Sequence, residues 1–219
     1  FDQEVALDPE LLGHVFENLL AAFNPETGMV ARKATGSFYT PRVVVDWMVD
    51  QALLVYLSDK SDRSDKSDTR LKRLLAWDED GHDFAPAEVD RLIDAIDRLK
   101  ALDPACGSGA FPMGMLQKLA HVLKKLDPKN QGWRQRQEAA AEAIESGIAR
   151  EEALKAIRRA FARDNDDYGR KLYLIENCLY GVDIQPIAVQ IAKLRFFISL
   201  VCDQAIDPAE ENYGILPLP

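Results

Sequence analysis

The chain of 219 residues has few cysteines and histidines and no long apolar run. Its three cysteines, Cys106, Cys178 and Cys202, form no CxxC pair, which is typical of reduced, mostly buried thiols in a cytosolic protein. The three histidines are scattered, so the sequence predicts no metal site. No apolar run approaches the roughly 20 residues that a membrane-spanning helix needs, and the first residues do not resemble a signal peptide. We expect a cytoplasmic protein that binds neither a metal nor a membrane.

An excess of positive charge is lacking as well. Acidic residues outnumber basic residues by 36 to 27, and the formal net charge is −9. The chain therefore lacks the basic footprint that is typical of nucleic-acid-binding domains. Strong contact with DNA phosphates must be local or must come from parts of the protein outside this chain. Basic residues concentrate at 155–171, but acidic residues lie among them, which favours a solvated helix face over a DNA-binding patch.

Capping residues and apolar periodicity predict the helices of the N-terminal part. Asp8, followed by a proline, begins one helix, and Thr40 with Pro41 begins another. Residues 58–68 consist almost entirely of Ser, Asp and basic residues. Such a segment buries almost nothing, and we predict a solvated loop. The apolar residues assigned to one face of the second helix include Val43, Val44, Trp47 and Met48.

Two short apolar runs, at residues 99–102 and 178–184, predict buried β-strands. Each run leads into a loop and then into a helix. Strand, loop and helix repeated in this order predict the α/β class, with a doubly wound parallel sheet behind an α-helical N-terminal segment. The last helix is apolar on nearly all sides and is expected to pack against the sheet and a second element. The further helices are predicted at about 86–99, 111–126 and 186–201, with a polar helical pattern over 127–177.

The stretch LDPACGSGAF, residues 102–111, joins the first predicted strand to its helix. A phosphate-binding loop would need GxxxxGK[ST], but no Lys-Ser or Lys-Thr follows Gly109. A dinucleotide-binding loop would need GxGxxG, but Pro112 occupies the third glycine position. The acidic residue that should follow about 20 positions later is also missing. Asp103 at the loop entrance further disfavours a pyrophosphate.

Asp103 instead suits a ligand that carries an ammonium group, because a carboxylate accepts its hydrogen bonds. Gly107 and Gly109 let the backbone approach a bulky ligand without a Cβ clash. A second acidic residue, Asp183, ends the next predicted strand, where doubly wound folds place carboxylates that bind ribose. An amino acid, a ribose and a base together describe S-adenosylmethionine. For each motif alone, turn chemistry at the glycines and helix capping by Asp183 are the alternatives.

Three motifs resemble those of N6-adenine-specific DNA methyltransferases, in particular the methylases of the type IIG restriction–modification and phage-defence group. DPACGSGAF is similar to motif I, and GVDIQPIAVQIAKLR is similar to motif II. GSFYTP, residues 36–41, resembles the motif that precedes motif I in some members, and residues 7–41 resemble the entry segment of the group. The resemblance covers most of the chain apart from the Ser-Asp segment and an insert at about 127–177. It implies a partial class I methyltransferase (Rossmann-like) sheet.

The resemblance also implies how S-adenosylmethionine would be held. Asp103 would accept hydrogen bonds from the methionine ammonium group. Asp183 would bind the ribose hydroxyls, and Ile184 would contact the adenine ring. The methionine part would rest on a loop lined by Ala105, Gly107 and Gly109, with Phe111 as a nearby wall or as a core aromatic. The residues that would close over the methionine end are Phe38, Tyr39, Thr40 and Pro41, although Thr40 equally suits a helix cap.

The family transfers its methyl group with an Asn/Asp-Pro-Pro-Tyr/Phe motif that holds a flipped adenine, and this motif does not occur in the sequence. We therefore assign no catalytic residue and expect the isolated chain not to methylate DNA. Double-stranded DNA is expected to bind mostly through parts outside this chain. A truncated sheet would expose an apolar strand edge, so we expect self-association. The implied parts are an N-terminal helical segment with the closing loop (1–57), a low-complexity loop and helix (58–98), a partial cofactor-binding domain (99–206) and a truncated tail (207–219).

Three alternatives remain open from the sequence. One is a methyltransferase for another substrate, such as protein glutamine or a small molecule, which the entry segment disfavours. Another is a non-catalytic helical module of a defence complex, which the intact acidic and glycine positions of both motifs disfavour. The third is a nicotinamide oxidoreductase, which Pro112 and the spacing of the acidic residues disfavour.

Overall fold

The computed structural model describes residue 15 and residues 40–58, 65–161 and 166–203. Apart from Val15, the predicted helix that begins at Asp8 lies outside the described residues, as do Phe38, Tyr39 and the tail from 207 to 219. The elements in chain order are α1 (Arg42–Ser58), α2 (Asp65–Leu75), α3 (Pro86–Asp97), β1 (Ala101–Asp103), α4 (Ala110–Leu126), α5 (Gln131–Glu142), α6 (Gly147–Ala160), α7 (Asp166–Asn177), β2 (Leu179–Gly181) and α8 (Pro186–Val201). None of these helices is long and apolar enough to cross a membrane.

Helix α2 begins at Asp65, inside the segment that composition predicts to be a loop. The loop prediction is wrong for these residues because the helix ends in an apolar face. Leu71, Leu74 and Leu75 of that face are buried, and their burial favours the helix. Acidic residues in the first turn of a helix further stabilise its N-terminus.

The two strands form a parallel pair in which Ala101 lies opposite Leu179 and Leu102 lies opposite Tyr180. Ala101 and Leu179 pack against the core that α4 forms beneath the sheet. Successive side chains of a strand point to opposite faces, and Leu102 and Tyr180 are therefore 63% and 45% exposed. The prediction that both strands are buried is wrong for this second face, which the described residues leave open.

Helix α1 packs on α4, but through a different face from the one that the spacing of its apolar residues predicts. Val45 and Val49 are buried and lie against Gly114 of α4. A Cβ on Gly114 would come within 2.4 Å of Val45 Cγ1, so the two helices touch where one of them has no side chain. Val43 and Trp47, which the apolar spacing places on the packed face, are exposed instead.

Residues 127–177 form α5, α6 and α7, and α7 packs on α4. Arg170 is only 1% exposed and donates hydrogen bonds to the carbonyl oxygens of Asp127 and Pro128, at 2.7 and 3.1 Å. Lys171 Nζ lies 2.6 Å from Asp203 Oδ2. These two basic residues therefore point into the protein, and the prediction of a solvated basic face is wrong for them.

Candidate functional site

The loop between β1 and α4, residues 104–109, is called the glycine loop below. It folds over the end of the neighbouring strand, because Cys106 N–H donates to the carbonyl of Val182 at 2.9 Å. Gly109 N–H then donates to the carbonyl of Cys106 at 2.8 Å. Gly107 and Gly109 have φ angles of +53° and +86°, in the left-handed region that glycine adopts at little cost. Both glycines of the motif are thus required by the turn itself.

Both predicted carboxylates lie at this loop. Asp103, the last residue of β1, accepts a hydrogen bond from Ala105 N–H at 3.0 Å. Asp183 follows β2 and accepts from Gly107 N–H at 2.9 Å and from Gln185 N–H at 2.8 Å. The second motif therefore contacts the first directly. Asp183 does not cap α8, because the residue before the helix is Gln185 and no side chain caps the helix; its observed role is the contact with the glycine loop.

Helix α8 supports the glycine loop from the other side. A Cβ on Gly109 would lie 3.0 Å from Ala192 Cβ, so the loop backbone touches the helix. Three residues further along α8, Arg195 donates from Nη1 to the carbonyl oxygen of Ser108 at 2.9 Å. Helix α8 packs mainly on α7 and α4, and this packing brings α8 to the loop.

Cys106 is buried in the loop, as are Ser108 and Gly109. Burial, together with the nearby carboxylates of Asp103 and Asp183, raises the pKa of its thiol. A Cβ on Gly181 would come within 3.0 Å of Cys106 Sγ, so the thiol fills the space against β2. Cys106 is a packing residue. Cys178 is also buried and Cys202 is exposed, so the thiols are mostly buried, as predicted.

An apolar cleft of about 330 Å³ lies beside Asp103, between α1, β1 and the start of α4. Phe111 is half-buried there and also packs against the core, which combines its two predicted roles as a wall and as a core aromatic. The residues that line the cleft with it include Met48, Ala52, Leu102, Pro104, Met115 and Tyr180.

The remaining predicted site residues lie around the loop. Ala105 is exposed on the loop, and Ile184 is 91% exposed just beyond Asp183, where it is free to contact a ligand. Thr40 and Pro41 precede α1, which begins at Arg42 rather than at Pro41. Val45, in the first turn of α1, lies against Gly114 in the second turn of α4, so the two helices begin close to each other. In the described ranges, no group of three or more metal-ligating side chains comes together.

The sequence prediction missed Arg195 and Ala192 as contacts of the glycine loop. A signal for both was present in the spacing of small residues along α8. Ala188, Ala192, Arg195 and Ser199 recur at intervals of four, three and four, and all four are buried. Small residues at helical spacing indicate a close approach by another backbone, and a basic residue on such a face indicates a carbonyl or carboxylate partner.

A glycine loop and two carboxylates at the carboxyl ends of parallel strands form the type of site that binds nucleotide-like ligands in α/β proteins. The sequence is 27% identical, over 98% of its length, to a protein of Methanocaldococcus jannaschii named "putative type II restriction enzyme and methyltransferase". The chain spans 16% of the length of that relative. No protein-family profile matches the sequence, and no solved structure matches it.

Proposed function

We propose that this chain is the cofactor-binding part of an S-adenosylmethionine-dependent DNA methyltransferase that acts on N6 of adenine in a restriction–modification or phage-defence system. The observation that carries the proposal is the pair Asp103 and Asp183. They lie at the carboxyl ends of two adjacent strands, and both accept hydrogen bonds from the same glycine loop. The similarity to a restriction–modification methyltransferase over nearly the whole chain supports the methyltransferase class. The adenine specificity rests on the resemblance of motifs I and II.

The residues of the site fit this cofactor. Asp103 and Asp183 offer acceptors, which the ammonium group and the ribose hydroxyls require. A carboxylate has about four lone-pair positions, and the two backbone hydrogen bonds to Asp183 leave room for hydroxyl donors. A Cβ on Gly107 would meet no atom within 4 Å. The outer side of the loop is therefore open to a bulky group.

S-adenosylmethionine, when bound, supplies an electrophilic methyl group. In the proposed arrangement, Asp103 orients the amino-acid end through its carboxylate, and Asp183 orients the sugar. Asp183 also holds Gly107 N–H, so the residue that binds the sugar sets the loop on which the amino-acid part rests. The exposed side chain of Ile184 provides an apolar surface for the adenine ring.

Double-stranded DNA is the proposed substrate of the complete protein. The chain carries a net charge of −9, and its composition lacks the basic excess that is typical of nucleic-acid-binding domains. We therefore propose that DNA is held mostly by parts of the protein outside this chain, together with the residues that transfer the methyl group.

The proposal is tested by titrating S-adenosylmethionine calorimetrically into the full-length protein, its Asp103→Ala variant and a control, Asp90→Ala. Asp90 is an exposed carboxylate on α3, 3.4 Å from Arg136. We expect Asp103→Ala to lose at least about 1.4 kcal/mol of binding free energy, a tenfold rise in Kd. Asp90→Ala should bind like the wild type.

Adenine methylation of duplex DNA is the second readout. Asp183→Ala in the full-length protein should abolish it, whereas Asp90→Ala should retain it. No heat of binding with wild-type protein would refute the cofactor assignment. Binding of the cofactor with methylation at cytosine instead would refute the adenine specificity and leave the methyltransferase class intact.

A further inference from the structure

We propose that Arg195 is a positioning residue of the cofactor site and that its guanidinium keeps the glycine loop in the conformation that binds the methyl donor. The inference rests on the proposed function, because it concerns the affinity for that cofactor. Arg195 lies on α8, 87 positions after the loop residue it contacts, and outside the residues expected to touch the ligand.

Three consecutive residues of the glycine loop are held by the segment that contains Asp183 and α8. Gly107 N–H donates to Asp183, the carbonyl of Ser108 accepts from Arg195, and Gly109 lies against Ala192. Asp183 also accepts from Gln185 N–H, which ties the start of α8 to the loop. The loop and α8 are therefore joined by hydrogen bonds and by a packing contact.

The bond from Arg195 sets the orientation of one peptide group. In the peptide between Ser108 and Gly109, the carbonyl accepts from Arg195 at 2.9 Å, and the N–H donates to the carbonyl of Cys106 at 2.8 Å. The peptide between Cys106 and Gly107 is held in the same way, since its carbonyl accepts from Gly109 and its N–H donates to Asp183. Without Arg195, the first of these peptides loses this hydrogen bond at its carbonyl end, next to a glycine that rotates easily.

The guanidinium of Arg195 is buried, and its contact with Ser108 is one of the interactions that compensate its charge. The side chain is 5% exposed, and a buried charge destabilises a protein unless hydrogen bonds compensate it. Nη1 also lies 3.5 Å from Ser108 Oγ, so one nitrogen reaches two oxygens of the same residue. A lysine has a point charge on a flexible stem and does not reproduce the planar guanidinium fork.

The test uses full-length protein and compares Arg195→Lys with Arg170→Lys. Arg170 is a matched control because it is also buried and also donates to backbone carbonyl oxygens, but from α7 to Asp127 and Pro128, beyond the far end of α4. Three quantities are measured for each variant: the thermal midpoint, the Kd for S-adenosylmethionine by calorimetry, and the amide hydrogen exchange of residues 103–111. All binding is measured at a temperature where circular dichroism shows folded protein.

We expect Arg195→Lys to raise the cofactor Kd at least about tenfold and to accelerate exchange in the glycine loop. Arg170→Lys should lower the thermal midpoint and leave both loop exchange and Kd unchanged. Ala192→Val keeps Arg195 but crowds Gly109, and it should also raise the Kd for the cofactor. If Arg195→Lys does not fold, Ala192→Val takes its place in the comparison.

Equal Kd and equal loop exchange in wild type and Arg195→Lys would overturn the inference. An equal loss of affinity in both lysine variants would also overturn it, since the effect would then be general destabilisation. If wild-type protein does not bind S-adenosylmethionine, the proposed function fails. In that case the rate of amide hydrogen exchange at residues 103–111 in Arg195→Lys still decides whether Arg195 holds the loop.

Discussion

Replacing Gly107 and Gly109 by alanine separates the fold of the glycine loop from its ligand. Both residues have positive φ angles, +53° and +86°, but their surroundings differ. A Cβ on Gly107 would meet no atom within 4 Å, whereas a Cβ on Gly109 would lie 3.0 Å from Ala192 Cβ and 3.4 Å from its Cα. We therefore expect Gly107→Ala to affect mainly the ligand and Gly109→Ala to affect mainly stability.

The magnitudes follow from the two environments. A side chain in the left-handed region costs about 1–2 kcal/mol, and the restriction of the unfolded chain by alanine offsets about 0.4–1 kcal/mol. Gly107→Ala should thus lower the free energy of unfolding by about 1 kcal/mol. Crowding against a packed helix costs about 1–3 kcal/mol more, so Gly109→Ala should lose about 3 kcal/mol. For a chain of this size, the thermal midpoint falls by about 2–4 °C per kcal/mol.

The assay pairs thermal unfolding with calorimetric titration of S-adenosylmethionine. Gly107→Ala should unfold within about 5 °C of the wild type, yet bind the cofactor at least tenfold more weakly, about 1.4 kcal/mol, because its Cβ occupies the open side of the loop. Equal thermal midpoints for the two variants would refute the contact between Gly109 and α8. Wild-type affinity in Gly107→Ala would show that the cofactor does not lie against this residue.

Three further results are expected. Gly114→Ala should lose about 1–3 kcal/mol of stability in urea unfolding, despite the better helix propensity of alanine, because the new Cβ would overlap the stiff side chain of Val45. The pKa of His121 is lowered, mainly by burial. As the pH falls, the imidazole is therefore protonated more readily in the unfolded chain than in the folded one, and the free energy of unfolding should fall below about pH 6.5. The exposed pair Leu102 and Tyr180 should make the isolated chain self-associate in light scattering.

Each of these results has a control. Gly147→Ala places a Cβ in open space and should be neutral or stabilising, so an equal loss for both glycine variants would contradict the packing argument. His121→Gln should flatten the decline of the urea midpoint between about pH 7.5 and 5.5, and an unchanged slope would show that other groups cause it. A monomer at high concentration would contradict self-association, whereas a Leu102→Lys variant should stay monomeric.

The position of the glycine loop and of the helix after it could be predicted because the responsible residues act locally. Glycines with left-handed φ and a proline in the first turn of α4 have the same effect wherever the chain packs. The parallel pairing of the two strands was predicted as well and is observed. A wider doubly wound sheet stays a prediction, since the described residues contain two strands.

Periodicity could not decide which face of α1 is buried. Apolar residues such as Val43, Val45, Trp47 and Val49 occur on more than one side of this helix, so helical spacing alone favours no face. The choice is made by α4, where Gly114 admits Val45 and Val49. Similarly, α2 extends into the Ser-Asp segment because distant parts of the chain bury its leucines.

By itself, the sequence determined where the loop lies and which carboxylates end its two strands, because turn geometry and strand ends depend on a few neighbouring residues. The tertiary structure decided what those groups touch. Asp183 reaches Gly107 across 76 positions and Arg195 reaches Ser108 across 87, and contacts over such separations depend on how α8 packs against α4. The physical reason is that a hydrogen-bond partner is chosen by position in space, which local propensity and spacing do not specify.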